Sequence, residues 1–133
     1  MNAPITPAFA NVYRSKTNVL KITLPVMNRF ITVTVNEILY IQSDVNYCYV
    51  YLKDGRKILI AKTLKEYHQQ LEGHLFARIH KSYLVNLEAI DYCNFAEYEI
   101  QLSNGVCLPI ARRKRKLFCQ KFNLFHKTQR LAG

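Results

Sequence analysis

Apolar and polar positions alternate along most of this chain, and the alternation is broken at short intervals by turn-forming residues. In residues 19–24 the apolar positions bracket Lys21 and Thr23, and Pro25 is expected to end the strand. Met27-Asn28-Arg29 reads as a turn. In residues 30–35, Ile31, Val33 and Val35 share one face, and Thr32 and Thr34 share the other. Residues 38–43 form a near-continuous apolar run. Residues 47–52 send Cys48, Val50 and Leu52 to one side and Tyr47, Tyr49 and Tyr51 to the other. Asp54-Gly55 then predicts a tight two-residue hairpin turn, because these residues tolerate positive φ, with residues 57–61 as the return strand.

The period changes at Thr63. Thr63 and Glu66 have the spacing of a capping box, and Leu64, Tyr67, His68, Leu71 and Leu75 recur near helical intervals. Gly73 is expected to end this helix in a left-handed cap, after about two and a half turns. Strands resume at 76–79 and 82–86, on either side of His80-Lys81, and again at 89–94, 98–102 and 106–110. The last two join across Ser103-Asn104-Gly105. Beyond Pro109 the chain becomes basic and helical, with Leu117, Phe118, Phe122 and Phe125 as its apolar stripe. Many short strands with two helices exclude the strand–helix alternation of a parallel α/β sheet. The fold class is mainly β with short helices. Residues 1–17, with two prolines and weak periodicity, read as a flexible tail, residues 18–126 as one domain, and residues 127–133 as a C-terminal tail.

Composition changes this picture in one respect. A chain of 133 residues has room for one domain, and its 50% hydrophobic content with nine Tyr and seven Phe supports one sizeable core. Charge is more specific: 19 Lys and Arg stand against 9 Asp and Glu, a net +10. From residue 100 onward there is no acid, yet Arg112, Arg113, Lys114, Arg115, Lys116, Lys121, Lys127 and Arg130 are all basic. A one-sided basic field favours polyanions. Cys48, Cys93, Cys107 and Cys119 form no C-x-x-C pair, the N-terminus lacks the apolar stretch of a signal peptide, and no window has the length of a membrane span. The reading is a cytoplasmic protein with reduced thiols and no membrane partner.

Phe76-Ala77-Arg78-Ile79-His80-Lys81-Ser82-Tyr83-Leu84-Val85-Asn86 concentrates donors between apolar residues at a turn. Donors at one exposed point suit phosphate oxygens and base-edge acceptors. Read without a ligand, Arg78 and Asn86 are turn and ladder residues and His80 is a half-buried, satisfied imidazole. This segment resembles the central signature of the LytTR family of bacterial DNA-binding domains, which runs F-x-R-x-H, then Arg or Lys, Ser, Tyr or Phe, an aliphatic residue, Val and Asn. Other pieces agree in order: Val35-Asn36-Glu37-Ile38-Leu39-Tyr40-Ile41, the Asn46-Tyr47 strand leading to Asp54-Gly55, Thr63-Leu64, Asn104-Gly105, Leu108-Pro109-Ile110 and Arg112-Arg113. The resemblance covers residues 19–122.

The resemblance implies an elongated β-sandwich of three small, mostly antiparallel sheets with short helices at the side. It implies loops entering successive major grooves of double-stranded DNA, and a second copy on an adjacent direct repeat. Carried over by motif, base contacts fall to Asn46, Tyr47, Lys81 and Arg113, and phosphate contacts to His80, Ser82, Arg112, Lys114 and Arg115. Family relatives act as response-regulator output domains in two-component transcription regulation. The segment ahead of this domain is too short for a receiver, so the chain is a stand-alone regulator or a fragment. Three positions depart from the pattern: Tyr47 and Lys81 replace other polar residues, and Ala111 stands where the family often has Ser, removing a helix-capping oxygen.

Catalysis finds little support in the sequence. His68, His74, His80 and His126 are scattered, no Cys–His pair has zinc spacing, Asp44 and Asp91 lack a carboxylate partner, and no glycine-rich phosphate loop is present. No enzyme activity, cofactor or metal is expected. Two alternatives to duplex reading remain. One is an RNA or single-strand binder that stacks bases on Tyr47, Tyr49 and Tyr51. The other is a protein-interaction module on the same fold.

Overall fold

The computed structural model describes residues 11–132, and side chains from 12 to 127. The alternation read from the sequence becomes three antiparallel sheets. The first is β1 (Asn11–Arg14), β2 (Leu20–Val26) and β3 (Arg29–Thr34), in the order β1-β2-β3. The central sheet is formed by β4 (Ile38–Asp44), β5 (Tyr47–Leu52), β6 (Lys57–Ile60), β7 (Phe76–His80) and β8 (Tyr83–Asn86), in the order β6-β5-β4-β8-β7. The third is β9 (Ile90–Asn94), β10 (Glu99–Leu102) and β11 (Cys107–Pro109), in the order β11-β10-β9. Helix α1 (Leu64–Leu71) links β6 to β7, and α2 (Arg115–Ala132) ends the described chain.

The central sheet is apolar on both faces, and each face has its own core. On one face Ile41, Cys48, Val50 and Leu84 pack with Ile22, Leu24 and Val33 of the first sheet and with Leu64, Tyr67 and Leu71 of α1. On the other, Leu39, Ala77, Ile79 and Val85 pack with Ile100, Leu102 and Leu108 of the third sheet and with Phe118 and Phe122 of α2. Each Val, Leu, Ile or Phe among them contributes about 1.5–3 kcal/mol of transfer free energy when fully buried. The sheet between two cores is therefore the stiffest part of the molecule, and its end turns are held on a rigid base.

Several elements differ from the sequence reading, each for an identifiable reason. Strand β1 lies inside the stretch read as a tail and pairs Asn11–Arg14 with Leu20–Thr23, with Val12 packed against the first core. Four residues are too short to display a period. The tail reading of residues 1–10 falls outside the described residues. Helix α2 continues past residue 126 to Ala132. Pro25 does not end its strand: β2 runs on to Val26, and Pro25 pairs with Phe30 of β3, while β1 as described reaches only to Thr23. A strand tolerates proline where no ladder bond needs its amide.

The Asp54-Gly55 turn is longer than two residues. Leu52 N donates to Arg56 O, Gly55 N donates to Leu52 O, and Gly55 alone of the two has a positive φ, 92°. The Ser103-Asn104-Gly105 turn repeats this pattern, with Gly105 at 88°. Thr63 Oγ accepts from Glu66 N at 3.3 Å, but the return half of the box is not made, and Glu66 Oε2 is buried without a hydrogen-bond partner. Gly73 is not left-handed. Leu75 is, at φ 66°, and its carbonyl accepts from Leu87 N at 2.9 Å. Leu117 leaves the predicted stripe: it is exposed, while Phe118 and Phe122 are buried.

Candidate nucleic-acid interface

Three turns carry the residues singled out in the sequence, and the strand order brings them to one end of the central sheet. In the first, Asp44 pairs with Tyr47, which leaves Val45 and Asn46 as the turn between β4 and β5. Val45 has φ 56° and is 90% exposed. A β-branched residue in the left-handed region is strained, and this one sits at the tip. Asn46 and Tyr47 are exposed beside it, with the Asp44 carboxylate at the base of the turn.

The second turn, Lys81-Ser82, joins β7 to β8. The ladder shifts register between Arg78 and His80, and the Arg78 side chain fills the irregularity. Its Nε donates to His80 O at 3.1 Å and its Nη2 to Lys81 O at 2.6 Å. Burial lowers the Arg78 pKa, but a guanidinium stays charged at any working pH. Ser82 N donates to His80 Nδ1 at 3.1 Å, and the half-buried His80 ring packs against Tyr83. Lys81 points free of these bonds and is exposed.

The third is the single 3₁₀ turn Arg112–Lys114, which leads into α2. Ala111, its N-cap, makes no side-chain cap bond, as the missing hydroxyl predicts. Arg112 and Arg113 are exposed and Lys114 is half-buried. The Arg115 guanidinium lies 3.7 Å above the Tyr98 ring of the β9–β10 loop, and its Nε is buried without a hydrogen-bond partner.

Two backbone bonds tie the turns together. Ser43 N donates to Ser82 O at 2.9 Å, which fixes the first beside the second. Ala111 N donates to Ile79 O at 2.8 Å, which fixes the third beside the second. Asn46, Tyr47, His80, Lys81, Ser82, Arg112, Arg113, Lys114 and Arg115 are thus brought to one end. Among the described residues the ion pairs are Asp54–Arg56 and His68–Glu72, so none of the cations at this end is neutralised by a carboxylate within 4.0 Å.

Three contributors had other parts in the sequence reading or none. Arg78 is the buttress of the Lys81 turn. Asn86 lies at the opposite end of β8, 2% exposed, where its Nδ2 donates to Ile38 O at 2.9 Å and its Oδ1 accepts from Glu88 N at 3.0 Å. It is a joint of the sheet. Tyr98, which carries Arg115, had no local signal. A concavity lies behind the third turn, between α1, β7 and α2, where Lys121 Nζ donates to Glu72 O and Phe76 O. Its His68 is held below the ordinary imidazole pKa by burial. Among the described residues no three His, Cys, Asp or Glu gather as metal ligands, and no helix is long and apolar enough to cross a membrane.

The tyrosine face is largely occupied. Tyr51 stacks on Tyr40 with centroids 4.4 Å apart, and Lys57 Nζ lies 4.2 Å from the Tyr49 centroid. Burial, reinforced by Tyr51 and Tyr83, pushes the Tyr40 hydroxyl up to about 12, so it remains a phenol. Of the three β5 tyrosines only Tyr47 is open to solvent, at 49%.

The model of the LytTr DNA-binding domain family matches residues 28–123. The fold is also that of the LytTr DNA-binding domain of a methyl-accepting/DNA response regulator from Bacillus cereus, with a TM-score of 0.66 at 20% identity, covering 76% of this chain and 94% of that one. Among curated proteins none matches the chain. With the family model spanning most of its length, three antiparallel sheets and cationic turns gathered at one end, the chain belongs to the LytTR family of DNA-binding domains.

Proposed function

We propose that the chain reads promoter sequence in the major groove of double-stranded DNA, as a cytoplasmic transcription regulator whose copies occupy direct repeats. The observation that carries this reading is the tethering of three polar turns, two of them cationic, at one end of the central sheet by the Ser43–Ser82 and Ala111–Ile79 bonds. Rigid presentation matters because each side chain ordered beforehand costs less entropy on binding.

Residue chemistry assigns the roles. Lys81 and Arg113 suit guanine, whose O6 and N7 are both acceptors, and Arg113 can take them with two parallel bonds. Asn46 suits adenine through N6 and N7, and Tyr47 offers an apolar ring and a hydroxyl beside it. Phosphate contacts fall to His80, Ser82, Arg112, Lys114 and Arg115. The Nδ1 of His80 accepts from Ser82 N, so the neutral ring carries its proton on Nε2 as an outward donor. The stack on Tyr98 holds Arg115 in one plane before a phosphate arrives.

Selection from a random duplex pool tests the reading. An enriched motif is expected, repeated at a spacing of about one helical turn. Recovery of unselected sequence at moderate salt would remove base reading altogether. Arg113→Ala is expected to weaken the selected site by about 1–3 kcal/mol and to relax preference at one base position. Equal loss on selected and unselected duplexes would make Arg113 a phosphate contact instead. The closed tyrosine face disfavours single strands, and competition with single-stranded oligonucleotides checks it.

A further inference from the structure

The third sheet is charged opposite to the rest of the molecule. Between Lys81 and Arg112 the chain has no Lys or Arg, and it carries Glu88, Asp91, Glu97 and Glu99, on a protein of net +10. Glu88, Asp91 and Glu97 are exposed. Among the described residues only Asp54 and Glu72 have a basic side chain within ion-pair distance, so all four of these carboxylates lack one. Beside them Tyr92 is 53% and Phe95 44% exposed. Exposed carboxylates of this kind repel phosphate and favour a cationic protein surface instead.

Its complement lies on the same chain. A groove runs between the β2–β3 hairpin tip and the edge strand β6, with Met27, Ile31 and Leu59 on its walls, Arg29, Arg56 and Lys57 along it, and the proposed base contact Tyr47 also in its lining. Met27 is 93% and Leu59 43% exposed. Arg56 is already paired with Asp54 at 2.8 Å, which leaves Arg29 and Lys57 as the uncompensated charges. The groove is lined from the first sheet and β6, while Asp91, Glu97 and Glu99 belong to the third sheet and its β9–β10 loop; Glu88 stands apart from them, in a concavity with Val19, Leu20 and Thr34.

We propose that the acidic aromatic surface of the third sheet of one copy docks in the cationic groove between the β2–β3 hairpin and β6 of the next. The occupant is a second copy because charge and apolar character match patch to patch. The geometry also fits: a groove on the first sheet and β6 and a carboxylate surface on the third sheet face different ways, so a contact between them joins copies head to tail, as direct repeats require. At net +10 free copies repel one another, and DNA phosphates remove that repulsion, so the contact forms between neighbours on DNA. The inference rests on the proposed binding of double-stranded DNA.

The test uses the full chain on a long duplex of mixed sequence, where clustering needs no base reading. A short duplex holding one copy supplies the single-site affinity. Wild-type isotherms are expected to show a nearest-neighbour factor of about tenfold, within the usual range of site-to-site coupling. Arg29→Glu and Glu97→Arg are each expected to bring it close to unity, and the double swap Arg29→Glu/Glu97→Arg to restore it by reversing the pair. Thermal melting confirms that each variant folds. Non-cooperative wild-type binding overturns the proposal. So does clustering that survives both single swaps, or that the double swap fails to restore. Clustering without a selected sequence would sink base reading and leave the docking intact, and independent binding to selected repeats would do the reverse.

Discussion

Arg78 holds the turn that carries the proposed base contact Lys81. Its two donors reach His80 O and Lys81 O, the carbonyls flanking the exposed tip. A planar fork presents both donors in a fixed geometry, which a flexible ammonium does not. Arg78→Ala removes two charge-assisted bonds, each worth about 1.5–3 kcal/mol in context, and leaves the turn to the Ser82–His80 and Ser43–Ser82 bonds. Affinity for a selected duplex is expected to fall about tenfold or more, Arg78→Lys is expected to recover little of it, and amide exchange at Lys81 and Ser82 is expected to quicken. Protected amides in Arg78→Ala would make the residue a mere filler of the register shift. The turn role of Arg78 was legible in the signature, because its bonds reach only two and three residues on, whereas the bond from Asn86 to Ile38 O spans 48 residues and is visible only in the fold. The Arg115–Tyr98 stack was not legible either, because it exists only once the third sheet has folded back against α2.

Elements were legible where alternation ran long enough to count. Cys48, Val50 and Leu52 are buried as the period requires, and so are Ile22 and Leu24. Misreadings gathered at ends, where one residue decides. β1 is too short to show a period. Gly73 offered a left-handed cap that the chain placed at Leu75, where the Leu87 amide waits for its carbonyl. The third turn carries a testable consequence at this scale. Ala111 caps the 3₁₀ turn without a side-chain acceptor, and no acid occupies the first turn of either that turn or α2. Orphan amides at a helix start attract anions. Ala111→Ser supplies an acceptor, and the melting midpoint is expected to rise by the equivalent of about 0.5–2 kcal/mol. A midpoint that stays put would mean water already satisfies those amides.

At the scale of the molecule, the spacing of the turns limits the DNA they can meet. The turns of β4–β5 and β7–β8 are centred two strand spacings apart in the order β5-β4-β8-β7, which is about 10 Å at ~4.8 Å per strand. The Arg112–Lys114 turn packs beside β7, adding an element width of about 10 Å. About 20 Å therefore separates the outer turns, while successive major grooves on one face of a straight duplex lie ~34 Å apart. Extended side chains at Tyr47 and Arg113 close part of that gap. The sheet, held between two cores, cannot stretch to close the rest, so the duplex is the partner that deforms. Bending it over a site of this size costs a few kcal/mol, which contacts from the outer turns offset. A bend of some tens of degrees toward the protein is expected, read from the migration of complexes in which the site is moved along a fragment of fixed length. Flexible pyrimidine–purine steps between the contacted positions are expected to strengthen binding without being touched. A straight duplex in the complex would mean that the three turns share a single groove, and that the outer base contacts belong to only one of the two ends.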